Sequence, residues 1–198
     1  IAHLSTAGGV RMVLEAKARG VRVTAEATPH HLLLADEDIP GPDPDYKMNP
    51  PLRSRADVAA LVEGLRSGAI DVLATDHAPH TAAEKARPFA EAPFGIVGLE
   101  TAVPLFLDRL VRPGTVPLPR LVELLSTAPA RLLGLAAKGR IAPGADADLT
   151  LLDLELETVV DRGRFESKGR NTPFHGWRLR GGPVMTIVGG RVAYPFEP

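Results

Sequence analysis

The stretch Ile70–His80 reads IDVLATDHAPH and joins a short apolar run to a carboxylate and two imidazoles. An apolar run of this length, between Gly68 and Pro79, predicts a β-strand that is buried on both faces. Asp76 would then lie at the carboxyl end of the strand, where α/β proteins build their functional sites. The same residues also fit a simpler hypothesis, in which the carboxylate only caps the next turn.

The surrounding chain favours the functional hypothesis, because predicted helices and strands alternate along it. Predicted helices cover residues 5–19, 54–68, 98–110, 118–126 and 128–135, and predicted strands cover residues 21–27 and 70–76. Such alternation is typical of a parallel sheet or barrel, and the polar residues with catalytic potential follow strands rather than helices. We therefore expect an α/β fold that forms part of a TIM-like (β/α)8 barrel.

The last third of the chain has a different pattern. Turn-rich sequence begins at Lys138, and short predicted strands follow at residues 149–154, 158–160, 177–180, 184–188 and 191–194, split by glycine pairs. We expect residues 1–137 to form part of the barrel and residues 138–198 to form a segment of a small antiparallel β-sandwich. Ile1-Ala2 resembles the tail of a strand, so we expect the carboxyl-terminal portion of a longer protein.

The composition excludes several classes of protein. The 198 residues, of which 44% are hydrophobic, are sufficient to bury a core. The 23 basic and 24 acidic residues nearly cancel, which gives no reason to expect nucleic acid or an anionic membrane as a partner. No apolar run reaches the roughly 18 residues of a membrane span. Cysteine is absent, which excludes disulfides and thiolate metal ligands and fits a cytoplasmic protein.

Six short motifs carry a resemblance to a known family. They are HLST (3–6), TAE with TPHH (24–26 and 28–31), KMNPPLR (47–53), ATDHAPH (74–80), APFGIVGLET (92–101) and NTPF (171–174). In this order and at these spacings, the chain resembles the carboxyl-terminal half of a class I dihydroorotase, a member of the amidohydrolase superfamily. Hydantoinases, dihydropyrimidinases and allantoinases are similar in architecture, but we do not expect both the 47–53 and the 74–80 motifs in them.

The resemblance implies a metal-dependent barrel, a small β-sandwich formed from both chain ends, and one or two Zn²⁺ ions in each site. It also implies the reversible hydrolysis of (S)-dihydroorotate to N-carbamoyl-L-aspartate, a step of pyrimidine (UMP) biosynthesis. The early barrel strands, with a His-x-His pair, a bridging carboxylate and a further histidine, would lie outside this sequence. The chain alone would therefore not close an eight-stranded barrel.

By this resemblance, His3 and Asp76 are metal ligands, and Asp76 is also the catalytic acid and base. Zn²⁺ takes neutral imidazole and carboxylate ligands, and a carboxylate beside the attacking water can pass its proton to the leaving nitrogen. The resemblance also implies that four residues of two long loops contact the substrate, namely Asn49, His80, Phe94 and Gly95. The Asn49 amide can bond the edge of a cyclic amide, and Gly95 allows a close backbone approach in which its N–H donates.

Each assignment has a structural alternative. The alternatives are a core histidine at residue 3, a turn residue at 49, a helix cap at 76, a solvated loop histidine at 80 and a core aromatic at 94. We interpret the remaining histidines as supporting or structural residues, namely His30, His31, His77 and His175. His77 is expected to point away from the metal, because neighbours on an extended chain face opposite ways. Arg53 could attract an anionic substrate, but a surface ion pair is the expected role.

Two other functions stay open at this stage. The first is a sister enzyme that acts on hydantoin, dihydropyrimidine or allantoin. The second is a non-catalytic pseudo-dihydroorotase that assembles with aspartate transcarbamoylase, although such a protein should have lost metal ligands. The expected partner is the small-molecule substrate, dihydroorotate or N-carbamoyl-L-aspartate, and both a homo-oligomer and an aspartate transcarbamoylase complex are left open.

Overall fold

The computed structural model describes residues 1–195, which contain seven α-helices and five β-strands. The helices are α1 (Ala7–Ala18), α2 (Pro29–Leu33), α3 (Arg55–Ser67), α4 (Ala82–Lys85), α5 (Leu99–Phe106), α6 (Leu118–Val122) and α7 (Ala128–Leu132). The strands are β1 (Glu26–Ala27), β2 (Val72–Leu73), β3 (Leu149–Val159), β4 (Arg178–Val188) and β5 (Arg191–Pro195). Within these described residues, no helix combines the length and the apolar character needed to cross a bilayer.

Contacts divide the chain into two compact units. The first comprises Ile1–Ala102 and Val159–Trp177, and the second comprises Val103–Thr158 and residues 178–195. The segment 159–177 belongs to the first unit because its backbone bonds there; for example, the Asn171 carbonyl accepts the Val97 N–H at 2.9 Å. These units differ from the two domains expected on either side of residue 137, and that domain assignment stays a prediction.

Helices α1 and α3 begin close to their predicted starts, and a polar side chain caps each of them. The Thr6 side chain accepts the Gly9 N–H at the start of α1, and the Ser54 side chain accepts the Asp57 N–H at the start of α3. Asp57 serves both helices, because its carboxylate accepts the Ala7 N–H at 2.8 Å and the Ser54 hydroxyl at 2.6 Å. One carboxylate therefore supports both helix starts and holds the two helices side by side.

Strands β1 and β2 pair in parallel, as the alternation of helices and strands predicts. Glu26 lies opposite Val72, and on its other side its backbone bonds the amino-terminal segment. The Glu26 N–H donates to the Ile1 carbonyl at 3.0 Å, and the Leu4 N–H donates to the Glu26 carbonyl at 2.9 Å. Both strands are shorter than predicted, because regular pairing covers only two residues of each. Closure of a barrel stays a prediction.

Lys17 is a charged residue at an inward-facing position of α1, and its hydrogen bonds account for it. Its ammonium group donates to the Gly68 carbonyl at 2.7 Å and to both oxygens of the Asp71 carboxylate. The same carboxylate accepts the Ala25 N–H at 2.9 Å. Charge-assisted hydrogen bonds of this kind are stronger than neutral ones. The network therefore ties α1 to the residues that precede β1 and β2.

The second unit contains a three-stranded sheet in the order β3-β4-β5. Strands β4 and β5 are antiparallel, with Thr186 opposite Tyr194, and the register is irregular after Thr186. The expectation that a glycine pair splits residues 177–188 is wrong, because Gly181 lies inside β4. Its φ of +98° and the Leu107 side chain, 2.9 Å from where its Cβ would lie, explain why glycine occurs there. A second sheet that would complete a sandwich stays a prediction.

His31 is a structural residue, as expected. Its Nε2 lies 2.8 Å from the Pro50 carbonyl, which only accepts, so Nε2 carries the proton. Its Nδ1 then accepts the Thr28 hydroxyl at 2.7 Å. Burial lowers the pKa of His31 from 6.5 to about 4, although the Pro50 hydrogen bond opposes the shift. The ring is therefore neutral in the folded protein at physiological pH.

We predict that the free energy of unfolding falls as the pH drops from about 6.5 towards 4, because the unfolded chain binds the His31 proton more tightly than the folded chain. Between pH 7 and pH 5, the protonation of this residue lowers the free energy of unfolding by about 2 kcal/mol. Urea unfolding of the full-length protein at both pH values measures it. His31→Gln should reduce the pH dependence, whereas His175→Gln, at an exposed histidine, should not. The prediction would be contradicted if the free energy of unfolding changed equally between pH 7 and pH 5 for wild type and for His31→Gln.

Candidate metal and substrate site

His3 and Asp76 converge, although they are far apart in the sequence. His3 Nε2 lies 3.6 Å from Asp76 Oδ1, and the two side chains are 31% and 23% exposed. His3 lies in the amino-terminal segment whose residues Ile1 and Leu4 bond the backbone of Glu26 in β1, and Asp76 follows β2. The parallel alignment of these segments therefore brings the two side chains to the same edge.

The backbone of both residues is in the left-handed region. His3 has φ of +52° and Asp76 has φ of +49°, and they are the only non-glycine residues with positive φ in the part of the chain that the structure describes. Such a conformation costs about 1–3 kcal/mol at each residue and is concentrated at functional sites. The two predicted metal ligands are therefore the two strained positions of residues 1–195.

The opposite edge of the His3 ring faces Glu26. His3 Nδ1 lies 2.9 Å from Glu26 Oε1, in a contact that is short but bent away from hydrogen-bond geometry. The same carboxylate oxygen accepts the His3 backbone N–H at 3.2 Å. Nε2 is therefore the ring nitrogen that faces Asp76 and stays available to a ligand.

His30 also belongs to this site, which the sequence did not indicate. Its Nε2 lies 3.7 Å from Asp76 Oδ2, and its side chain is only 1% exposed. Neither ring nitrogen has a hydrogen-bond partner among residues 1–195. The Asp76 carboxylate thus lies between two imidazoles, with Oδ1 towards His3 and Oδ2 towards His30. A useful signal was available in the TPHH motif, where α2 turns His30 inward after Thr28 caps the helix.

Burial controls protonation at this edge. It is the largest cause that raises the pKa of Asp76; the Glu26 charge acts in the same direction, and His3 opposes both. Burial also lowers the pKa of His30 well below its ordinary value, with smaller contributions from the charges of His31 and His3. His30 is therefore neutral, and Asp76 holds a proton more readily than a solvated carboxylate does.

The donor set fits a metal ion in part. An imidazole nitrogen and a carboxylate oxygen are ligands that Zn²⁺ accepts, and 3.6 Å between them suits two ligands at about 2.0–2.2 Å from one ion. Within residues 1–195, no group of three or more His, Cys, Asp or Glu side chains is arranged to hold a metal ion. The described chain therefore offers two converging ligands rather than a complete site.

The loop residues expected to bind substrate lie in two neighbouring segments. His80 Nε2 lies 2.8 Å from the Phe94 carbonyl, so the two residues are in direct contact. The Phe94 side chain is 54% exposed, which excludes a core aromatic at this position. Asn49 is also exposed. The structure therefore brings His80 and Phe94 together and leaves Asn49 accessible.

Gly95 is required by space and by backbone conformation. Its φ is +112°, and a Cβ would lie 2.4 Å from the Ala78 Cβ. Its N–H donates to the Lys47 carbonyl at 2.9 Å. The expectation that this N–H is free to donate to a ligand is therefore wrong in this structure, because the loop packing already uses it.

Asn171 organises the same loops and was not identified from the sequence as more than part of a motif. Its amide nitrogen donates to the Ala78 and Gly95 carbonyls, both at 3.0 Å. Its amide oxygen accepts the His80 backbone N–H at 3.0 Å. One buried amide thereby holds His80 and Gly95 in place, which uses the donor and acceptor capacity of an asparagine side chain.

Two buried lysines support the loop from below. Lys47 donates to the carbonyls of Phe89, Ala90 and Ala92, and its ammonium group lies 4.7 Å from the centre of the Phe94 ring. Lys85 donates to the Gly95 carbonyl at 3.0 Å. Both ammonium groups therefore donate their hydrogen bonds to backbone carbonyls of the loop.

The remaining polar residues considered from the sequence are His77, His175 and Arg53. His77 Nδ1 accepts the N–H groups of Gly98 and Leu99 at the start of α5, which confirms that its ring is engaged elsewhere. His175 is exposed and accepts the Arg162 N–H. Arg53 forms no ion pair within residues 1–195, and its Nε is buried without a hydrogen-bond partner. The expected surface ion pair of Arg53 is therefore wrong, because the side chain is partly buried.

Curated relatives show what this chain is similar to. It is 59% identical over 194 residues to the dihydroorotase of Bacillus caldolyticus, a match that covers 98% of this chain and 45% of the relative. It is 54% identical over 197 residues to the dihydroorotase of Bacillus thuringiensis (strain Al Hakam), covering 100% and 46% respectively. The chain thus spans a little under half the length of these relatives.

Solved structures show a similar fold. The L-hydantoinase (dihydropyrimidinase) of Arthrobacter aurescens matches with a TM-score of 0.94 and 36% identity, over 100% of this chain and 45% of that one. The D-hydantoinase (dihydropyrimidinase) of a Thermus species matches with a TM-score of 0.91 and 32% identity, over 98% and 44%. The profile of the amidohydrolase family matches residues 2–193, nearly the whole chain. This α/β chain therefore belongs to the amidohydrolase family.

Proposed function

We propose that this chain is part of a dihydroorotase, which hydrolyses (S)-dihydroorotate reversibly to N-carbamoyl-L-aspartate in pyrimidine biosynthesis. The observation that carries the proposal is the convergence of His3 and Asp76 in strained backbone conformations. It occurs in a chain that is 54–59% identical to proteins named dihydroorotase. Because the chain spans under half of those proteins, the activity belongs to the whole protein.

The proposed cofactor is zinc, as one or two ions in each site. His3 Nε2 and Asp76 Oδ1 would hold it, and since structural and catalytic zinc sites use three or four protein ligands, we propose that further ligands come from residues outside this chain. A bound ion would make a water acidic enough to ionise near neutral pH and would polarise the carbonyl under attack. The amidohydrolase family is generally metal-dependent, which supports this assignment.

Asp76 is the proposed acid and base. In the hydrolytic direction, its carboxylate accepts a proton from the attacking water as the new C–O bond forms. It then donates that proton to the ring nitrogen as the C–N bond breaks, which regenerates the carboxylate. In the reverse direction, it accepts a proton from the carbamoyl nitrogen as this nitrogen attacks. Its raised pKa, caused mainly by burial, suits a group that must both accept and return a proton.

Substrate recognition is proposed to involve the two loop segments. His80 and Asn49 would bond polar groups of the substrate, while Phe94 and Gly95 provide the backbone and the close approach beside them. The His80–Phe94 contact at 2.8 Å and the Asn171 hydrogen bonds support this role, because they hold the recognition residues together before substrate arrives. Pre-formed contacts of this kind reduce the ordering that binding requires.

The finer features of the fold are part of the same proposal. They are a TIM-like (β/α)8 barrel, a β-sandwich subdomain and a boundary near residue 137. The parallel pairing of β1 with β2 supports the barrel, and the β3-β4-β5 sheet supports the subdomain. A cytoplasmic location, a homo-oligomer and an aspartate transcarbamoylase complex stay predictions.

A second candidate function is hydantoinase or dihydropyrimidinase activity. Solved structures with those names match this chain with TM-scores of 0.91–0.94. Their identities of 32–36% are lower than the 54–59% shared with dihydroorotases, so dihydroorotate is the preferred substrate of the proposal. The non-catalytic alternative is disfavoured, because His3 and Asp76 are both present and close together.

We predict that the full-length, zinc-loaded protein turns over dihydroorotate at least a hundredfold more efficiently than hydantoin or dihydrouracil, compared as kcat/KM. A site built to bond a particular polar substituent rejects substrates that lack it by large factors. Removal of the metal with a chelator should abolish turnover, and added Zn²⁺ should restore it. A preference for hydantoin would replace the proposal with the second candidate, and no turnover of either substrate would favour the non-catalytic alternative.

Asp76→Asn should lower kcat for dihydroorotate by at least about 10²-fold, because the amide cannot accept and return a proton. The matched control is Asp38→Asn, which removes a carboxylate that pairs with Arg55 on the surface and should leave kcat within about twofold of wild type. Retention of more than a tenth of wild-type kcat by Asp76→Asn would rule out the acid–base role.

A further inference from the structure

Glu26 occupies the central position between the two segments that carry His3 and Asp76. Its backbone bonds Ile1 and Leu4, which flank His3, and it lies opposite Val72 of β2. Its side chain therefore projects from a position that the pairing fixes on both sides. A carboxylate placed there has little freedom to move relative to the His3 backbone.

One oxygen of the Glu26 carboxylate contacts His3 twice. Oε1 accepts the His3 backbone N–H at 3.2 Å and lies 2.9 Å from His3 Nδ1. No lysine or arginine within residues 1–195 forms an ion pair with Glu26. The side chain is 23% exposed, so solvent screens the charge only in part. Its direct side-chain contacts are therefore with His3, through both the backbone and the ring.

The contact has a consequence for the other ring nitrogen. A neutral imidazole carries one proton, and a carboxylate next to Nδ1 favours that nitrogen as the protonated one. Nε2 then keeps its lone pair and faces Asp76 at 3.6 Å. The bond to the His3 N–H also helps to hold a residue whose φ of +52° is otherwise unfavourable.

We propose that Glu26 is a positioning residue that fixes the tautomer and orientation of His3 so that Nε2 binds the metal ion. This inference rests on the proposed function, because it requires His3 to be a metal ligand. Carboxylates that contact the second ring nitrogen of a metal-binding histidine orient the ring and raise its basicity, and their removal weakens metal affinity by about 10–100-fold. Glu26 itself is not counted as a ligand, since Oε1 is directed at His3.

The test measures Zn²⁺ affinity of the full-length protein by competition with a chromogenic chelator. Glu26→Gln keeps the size and an amide oxygen for the His3 N–H but loses the charge, and it should weaken Zn²⁺ binding about 10–100-fold. At saturating Zn²⁺, its kcat should return to within about threefold of wild type, which a general loss of structure would not allow. Glu63→Gln, at an exposed position of α3, makes the same charge change and should leave the affinity unaltered.

His3→Ala separates the failure of this inference from the failure of the proposed function. If His3→Ala weakens Zn²⁺ binding and Glu26→Gln binds within twofold of wild type, the positioning role is overturned and the metal site stands. If His3→Ala also binds like wild type, the proposed metal site is wrong. Should Glu26→Gln lose its thermal unfolding transition, Glu26→Asp replaces it: the shorter side chain withdraws the carboxylate from Nδ1, and unchanged affinity overturns the proposal.

Discussion

The backbone pairing of Glu26 is the constraint on which the rest of the site depends. On one side it bonds the segment that contains His3, and on the other it lies opposite Val72 in the strand that precedes Asp76. Parallel strands end at the same edge of a sheet, so this pairing places both functional side chains together. The Lys17–Asp71 network supports the alignment by binding the residues that precede both strands.

The site contains features that lower the stability of the folded protein. His3 and Asp76 adopt left-handed backbone conformations, and His30 is buried with neither ring nitrogen bonded. A buried polar group without a partner costs about 1–3 kcal/mol, which is comparable to the strain at each of the other two residues. Surrounding packing must offset these terms. Their concentration around one carboxylate supports the proposed catalytic role of Asp76 over the role of a structural cap.

Local sequence patterns were sufficient to predict much of the fold, since the starts of α1 and α3 and a strand before Asp76 all follow from them. The candidate pair His3 and Asp76 came from the family resemblance, and the structure shows that the two side chains lie close together. The extent of β1 and β2 was not predictable, because regular pairing depends on neighbouring segments rather than on local apolar character. The roles of Glu26 and Asn171 were missed for a related reason: their partners, such as His3 and His80, are distant in sequence and are brought close only by the fold.

The central claim is that His3 and Asp76 bind one cation together. The most direct test is anomalous X-ray diffraction at the zinc absorption edge, from crystals of the full-length protein grown with Zn²⁺. If one ion is shared, an anomalous peak is expected within about 2.0–2.2 Å of both His3 Nε2 and Asp76 Oδ1. A zinc peak that contacts neither side chain, or zinc sites that hold them separately, would contradict it.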